Sequence, residues 1–432
     1  MIAAERAGRL ATLAETTLRR NWRAGVHPRA GPYGFTCPST PRYRHQWYWD
    51  SCFHAIVWSH FDTARAREEL RTLARSGRPD GFLPHTAFWH SPAGWRRAPL
   101  YATDRSFRDM ATASIQTPLL ALAWERVALA SHEDDPGFGA EGLEILTAHY
   151  GWIARERDLH GDGLISIIFP DESGLDDSPK YDAAFGRLAH HRPGYFWLVE
   201  RSRRLGYRAR DVAARYPGQV VRDVLVNVFY ALSLRSLSRL LGEGEDGLHA
   251  RRAERVEHAL LARCLDEGSG LFFDLTGPGE GRPARVSTWS SLAPLALPSL
   301  PEAIRRRLVE RHLLHPARYA AHTGIPSVAI EEPSFRPGFD RYRCWRGPSW
   351  MNAAWLLVPP MRELGYEIEA DRVVDSLATA VERYGFREYY NPLTGAGLGA
   401  RGFGFATLLI DLLDLPSRPG GPGGLRGAAA TG

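Results

Sequence analysis

Apolar residues recur at spacings of three and four along most of this chain. VVRDVLVNVFYALSLRSLSRLL (Val220 to Leu241) places Val221, Val224, Leu225, Val228 and Leu232 on one helical stripe. The same spacing predicts helices near 48–62, 65–76, 108–130, 141–157, 194–206, 249–265, 301–313, 348–362, 370–384 and 403–414. An amphipathic helix over 2–22, with Ile2, Leu10, Leu13, Leu18 and Trp22, brings the set to about a dozen. Few period-2 runs separate these helices. The connections at 23–47, 77–107, 158–193 and 314–347 are long and rich in Gly, Pro, Trp and Tyr. Loops of that length in a compact domain usually carry function. No fixed-period repeat supports a helical solenoid. The pattern predicts an all-α fold, a closed double ring of helices with functional loops gathered at one end.

A chain of 432 residues could hold two or three average domains. The unbroken helical pattern instead predicts one domain over 1–415, followed by a disordered Pro/Gly/Ala-rich tail over 416–432. The net charge of +5 comes mainly from scattered Arg, and no basic block alternates with aromatics, which argues against nucleic-acid binding. Cys37, Cys52, Cys264 and Cys344 have no metal-site spacing, and the N-terminal helix lacks the apolar core of a signal peptide. No apolar run approaches the roughly 20 residues that span a bilayer. A reduced, cytoplasmic protein is expected, with no membrane partner and no cofactor. The sequence does not fix the oligomeric state and is compatible with a homo-oligomer.

The most informative stretch is PDESGLDDSPKYD, which packs Asp171, Glu172, Asp176, Asp177 and Asp182 around Gly174 and Pro179. Mutual repulsion and these two residues disfavour a regular element. The apolar LISIIFP segment before it can anchor it in a core. An anchored, irregular acidic loop suits a carboxylate that must be aimed, but a solvated loop or a calcium site reads equally well. In RHQWYWDSCFHAI, Trp47, Tyr48 and Trp49 precede Asp50. Aromatic faces beside a carboxylate match a sugar ring, whose C–H faces stack while its hydroxyls donate. Asp50 as a helix cap is the alternative. His85 in GFLPHTAFW either reaches the same pocket or satisfies a buried hydrogen bond, and Gln116 joins the substrate-binding candidates. In YRCWRGPSWMNAAWLL, Tyr342, Trp345 and Trp350 surround Arg346 and Gly347, and a guanidinium among aromatics can stack while donating to carboxylates or vicinal hydroxyls, with a structural Arg–acid pair as the alternative. In REYYNPLTGAGLGARGFGF, Glu388 precedes two tyrosines, and the Gly-rich loop lacks a phosphate-binding pattern.

Taken in order, WYWDS, ESGLDDSPKYD, WRGPSW and EYYNPLTG resemble the signature blocks of glycoside hydrolase family 63 and its trehalase-like relatives, among them the small bacterial enzymes that hydrolyse mannosylglycerate or glucosylglycerate. The resemblance runs from about residue 22 to 415. It implies an (α/α)6 barrel, an inverting hydrolase of a small α-glucoside or α-mannoside, and no metal. By motif position it implies Asp176 as general acid and Glu388 as base, their carboxyl groups roughly 6.5–9.5 Å apart to leave room for water. It makes Asp50 with Trp49 a sugar-binding pair, and Arg346 with the Gly347 backbone an orienting pair. Glu172, Asp177 and Asp182 are the local candidates for raising the proton affinity of the acid. Glu382, six residues before Glu388, is the rival base.

One departure stands out. The glycerate-cleaving relatives usually carry an aromatic residue immediately before ESG, where this chain has Asp171. A glycerate carboxylate would need a cation, for which Arg192, Arg210, Arg222 and Arg346 are available. The alternatives are trehalase-like or oligosaccharide α-glucosidase specificity, an (α/α)6 enzyme of other chemistry, or a barrel that binds sugar without catalysis.

Overall fold

The computed structural model describes residues 2–28, 30–90, 111–186, 192–340, 342–413 and 415. The expected disordered tail over 416–432, most of the loop over 77–107 and the start of the helix expected at 108 lie outside them.

Six segments form an inner ring: Tyr48–Trp58, Leu120–Ala130, Val224–Leu240, Trp289–Ala296, Met351–Glu363 and Phe405–Leu412. Each packs against the next, and the last packs against the first, so the ring closes. Their outer partners are Thr63–Arg75, Leu143–Arg157, Leu248–Ala259, Glu302–Leu308, Glu367–Tyr384 and the N-terminal Ala4–Asn21. This is the (α/α)6 barrel. The first inner helix is buried on every side, as its nearly all-apolar sequence requires. Much of the tryptophan content fills the wall, where Trp58, Trp124 and Trp289 are among the largest fully buried side chains.

The elements differ from the sequence expectation at four places. Trp289–Ala296 was not expected as a helix, because Pro294 and the closely spaced small and apolar residues obscure its period; it forms a 3-10 turn series. Phe405–Leu412 is likewise 3-10. The helix expected at 194–206 does form, as Arg192–Arg204, but it belongs to a connecting loop. Residues 111–119 are not helical: Ala111 bridges to Ala87, and Pro118 disfavours helix at Thr117 before it. The connection at 23–47 contains a short antiparallel hairpin, Trp22–His27 with Gly31–Thr36.

Where the ring closes, one carboxylate joins three of its segments and the turn after the first inner helix. Asp411 on the last inner segment accepts hydrogen bonds from His60 Nε2 (2.8 Å), Arg126 Nη2 (2.7 Å) and Trp355 Nε1 (2.7 Å). Burial alone would raise its proton affinity, but Arg126, then His60 and Trp355, outweigh burial and hold the carboxyl well below the usual range. Asp411→Asn should therefore cost about 3–5 kcal/mol in denaturant-unfolding experiments near pH 7. Because the folded-state value is depressed, this stabilisation is complete above the unfolded value of about 3.9 and is lost as pH falls further. The wild type should lose stability on acidification, while the variant should lose less.

Candidate active site

The acidic loop gives each of its five carboxylates a different environment. A 3-10 turn over Pro170–Ser173 ends at Gly174, whose left-handed backbone (φ 76°) brings the chain flat against Trp49. A Cβ at Gly174 would come 2.4 Å from Trp49 Cη2, so the turn and the aromatic wall are mutually fitted. Glu172 is fully buried and points away from the cleft. It takes a two-pronged bond from Arg157 (2.8 and 2.7 Å) and accepts the backbone N–H groups of Ile168 (2.8 Å) and Ile115 (3.2 Å). Asp177 accepts the Trp345 N–H at 3.2 and 3.3 Å, with Cys344 Sγ 3.5 Å away. Asp182 receives both terminal nitrogens of Arg346, at 3.1 and 2.6 Å. The loop is aimed rather than merely solvated, and guanidinium or N–H groups from other segments occupy three of its five carboxylates.

Asp176 alone among the five has an exposed side chain. Although it opens to the solvent of the cleft, the surrounding loops withdraw bulk water, and this enclosure is the largest influence on it. The charges of Asp171 and Asp177 follow, with Glu388 behind them, and together they hold the Asp176 carboxyl well above its ordinary range. Of the three tuning neighbours expected, only Asp177 acts in this way. Glu172 and Asp182 are neutralised by arginines, whereas Asp171, half-buried beside Tyr195 and itself pushed up to about 6 by burial, acts most strongly.

Glu388 lies on the strand Arg387–Tyr390, which pairs with Gly397–Arg401 in a bulged hairpin. Tyr43 donates its hydroxyl to Oε1 (2.9 Å), the Ala400 N–H donates to Oε2 (2.7 Å), and the Arg42 guanidinium stands 3.6 Å from Oε2. Burial and the Glu388 charge keep the Tyr43 phenol protonated, and thus a donor. Tyr43 and Arg42 escaped the sequence reading. Nothing local marks them, since Tyr43 meets its partner 345 positions away. Asp50, buried in the first turn of its helix, is pushed up to about 7 by desolvation, with Glu388 among the charges acting on it.

An aromatic wall joins the four motif blocks. Trp345 stacks on Trp350 with centroids 3.8 Å apart and rings 9° from parallel; Trp350 meets Tyr389 at 4.9 Å, and Trp345 meets Trp49 at 6.3 Å. A protonated carboxyl, an ionisable partner held by tyrosine and arginine, and an indole-lined floor can protonate a glycosidic oxygen and activate water on a stacked sugar. The chain matches the model of the mannosylglycerate hydrolase MGH1-like glycoside hydrolase domain over residues 43–406. It belongs to that glycoside hydrolase family.

The mannosylglycerate hydrolase of Thermus thermophilus is 30% identical over 405 residues, covering 87% of this chain and 95% of that one. The glucosylglycerate hydrolase of Mycolicibacterium hassiacum is 27% identical, covering 83% and 89%. In structure, the family 63 mannosylglycerate hydrolase from Thermus thermophilus, solved with Tris and D-glycerate, superposes with a TM-score of 0.79 at 28% identity, covering 93% of this chain and 99% of that one. Neutral trehalase from Saccharomyces cerevisiae shares the fold at 16% identity, with a TM-score of 0.59 over 92% of this chain and 79% of the other.

Several candidate residues of this hydrolase have other tasks. Tyr48 is buried in the wall, its hydroxyl bonded to His149 Nε2 at 3.0 Å. Gly347 serves packing: its N–H donates to Ser327 Oγ (2.8 Å), and a Cβ there would meet the Arg336 carbonyl carbon at 2.7 Å, so its backbone N–H is committed elsewhere. Gln116 Oε1 accepts the Trp49 N–H (2.9 Å) and so fixes the entry of the first inner helix. Burial pushes His85 down to about 3, leaving a neutral imidazole, while its backbone ties Ser114 to Tyr48. Tyr342 lies exposed on the surface. Glu382, the rival base, is bound by Arg6 on the outer helices at 2.9 Å. Of the four arginines considered for glycerate, Arg222 is paired with Asp162 (2.9 Å), Arg210 donates to the Arg155 carbonyl, Arg346 holds Asp182, and the side chain of Arg192 lies outside the described residues.

Gly399 (φ 67°) leaves the space that Glu388 occupies; a Cβ there would stand 2.5 Å from Oε2. Gly399→Ala should displace the carboxylate and lower kcat on the order of 100-fold, with far-UV dichroism unchanged. Activity within a few-fold of wild type would refute this placement of Glu388.

Proposed function

We propose that this protein is an inverting α-glycosidase of glycerate glycosides, glucosylglycerate or mannosylglycerate. The observation that carries this reading is the asymmetry of the two carboxyl groups. Asp176 is biased toward its protonated form, while Glu388 is held by Tyr43, Arg42 and a backbone N–H. Asp176 gives its proton to the glycosidic oxygen as the C1–O bond breaks. A water on the opposite face attacks C1 and passes its proton to Glu388, releasing the sugar with inverted configuration. Proton exchange with solvent restores the starting state. Trp49 supplies a face for the sugar ring and Asp50 a partner for its hydroxyls. The names and coverage of the relatives support the glycerate aglycone. Among the described residues no helix is long and apolar enough to cross a membrane. The four cysteines are unpaired, in keeping with work in a reducing compartment.

Proton NMR of the first turnover should show the β-anomer released from an α-glycoside; initial release of the α-anomer would overturn the inverting assignment. Asp176→Asn and Glu388→Gln should each lower kcat by about 10²–10⁴-fold. Because Asp176 must hold its proton, the alkaline limb of the kcat/KM profile should lie above the ordinary carboxyl range, and activity should fall as pH rises through it. A limb near 4 would contradict the raised proton affinity. A screen over glucosylglycerate, mannosylglycerate, trehalose and short α-glucosides decides specificity, and exclusive turnover of trehalose would displace the glycerate reading.

A further inference from the structure

Among the described residues, Asp176 has no side-chain clamp comparable to those on Glu172, Asp177 and Asp182; its carboxyl is bonded by its own backbone N–H. Its aim is therefore inherited from the turn that carries it. That turn is short and continuous. Ser178 N donates to the Leu175 carbonyl (3.0 Å), Tyr181 N donates to the Ser178 carbonyl (3.1 Å), and Pro179–Tyr181 is a 3-10 turn. No slack chain separates Asp176 from Lys180.

Lys180 is 2% exposed and points away from the cleft, into the barrel wall. Its ammonium donates to Asp223 Oδ2 at 2.6 Å and Ser290 Oγ at 2.9 Å, and forms an ion pair with Asp274 Oδ2 at 3.0 Å. Each acceptor belongs to the framework. Asp223 Oδ1 caps the third inner helix through Val226 N (2.9 Å), and Asp274 Oδ1 accepts Val224 N (2.8 Å) on the same helix. Ser290 begins the fourth inner segment. Tyr181, the next residue, adds its hydroxyl to Asp223 Oδ2 at 2.5 Å. An ammonium at a helix N-terminus is disfavoured by the helix dipole, and burying it costs several kcal/mol. Stability alone is a weak reason for such an arrangement.

We infer that Lys180 is a positioning residue for the proton donor, a buried ammonium that registers the Asp176 turn against the third and fourth inner segments of the barrel. It touches no substrate and acts through the loop. This role rests on the hydrolase reading and on Asp176 as acid.

The discriminating experiment varies the leaving group. A glyceryl glycoside needs a proton on its departing oxygen, whereas a glycosyl fluoride leaves with little help from an acid. Lys180→Met should lower kcat/KM on the glycerate glycoside about 100-fold while leaving the matching α-glycosyl fluoride within about threefold of wild type. Ser290→Ala and Tyr181→Phe keep the charges in place and should show a smaller loss with the same selectivity, so the inference stays testable if the methionine variant does not fold. A parallel loss on both substrates, or no loss on either, would overturn the role given to Lys180. An inert wild type on both substrates would overturn the hydrolase reading and this inference with it.

Discussion

The site depends on the burial of one carboxylate that does no chemistry. Glu172 is removed from water, and the Arg157 guanidinium with two backbone N–H groups replaces the lost hydration. An unpaired buried carboxylate would cost several kcal/mol, so this arrangement allows one position for the loop and few others. It joins the end of an outer helix, the stretch before the second inner helix and the acidic loop at a single point. From there Gly174 can turn against Trp49, Asp177 can reach the Trp345 N–H, and Asp182 can hold Arg346.

Those further contacts convert a crowd of like charges into a graded set. Arginines neutralise Glu172 and Asp182. Asp171 and Asp177 remain close to Asp176 and make it harder to ionise. Glu388 instead accepts the Tyr43 hydroxyl and the Ala400 N–H. Two carboxyl groups of similar intrinsic acidity thereby sit in different surroundings, the contrast on which the proposed division of acid and base rests. The aromatic wall of Trp49, Trp345, Trp350 and Tyr389 fixes the backbone from which both are presented.

Much of the fold was legible because an inner helix buried on all sides and an outer helix buried on one leave distinct apolar periods. The Val224–Leu240 helix shows this clearly. Trp289–Ala296 was not legible, since a short 3-10 segment containing Pro294 has no 3.6-residue period to detect. In the site, the motif blocks pointed to Asp50, Asp176, Arg346 and Glu388, and the structure gathers these blocks around one cleft. Tyr48 and Gly347 sit inside the same motifs yet serve packing, because adjacent positions on a helix or turn face different ways. Tyr43, Arg42 and Lys180 carried no signal beyond ordinary loop composition; their partners are distant in the chain.

The sequence by itself determined the all-helical class and the family, and it singled out Asp176 and Glu388 as the pair proposed for acid–base work. These rest on local spacing and on ordered motifs, both of which a linear chain can display. Only the tertiary structure decided which acids are neutralised and which are left to repel, which aromatic rings stack on one another, and which partners the Lys180 ammonium meets. Those properties depend on burial and on distances of a few ångströms between groups far apart in the chain, and spacing along the chain does not encode them.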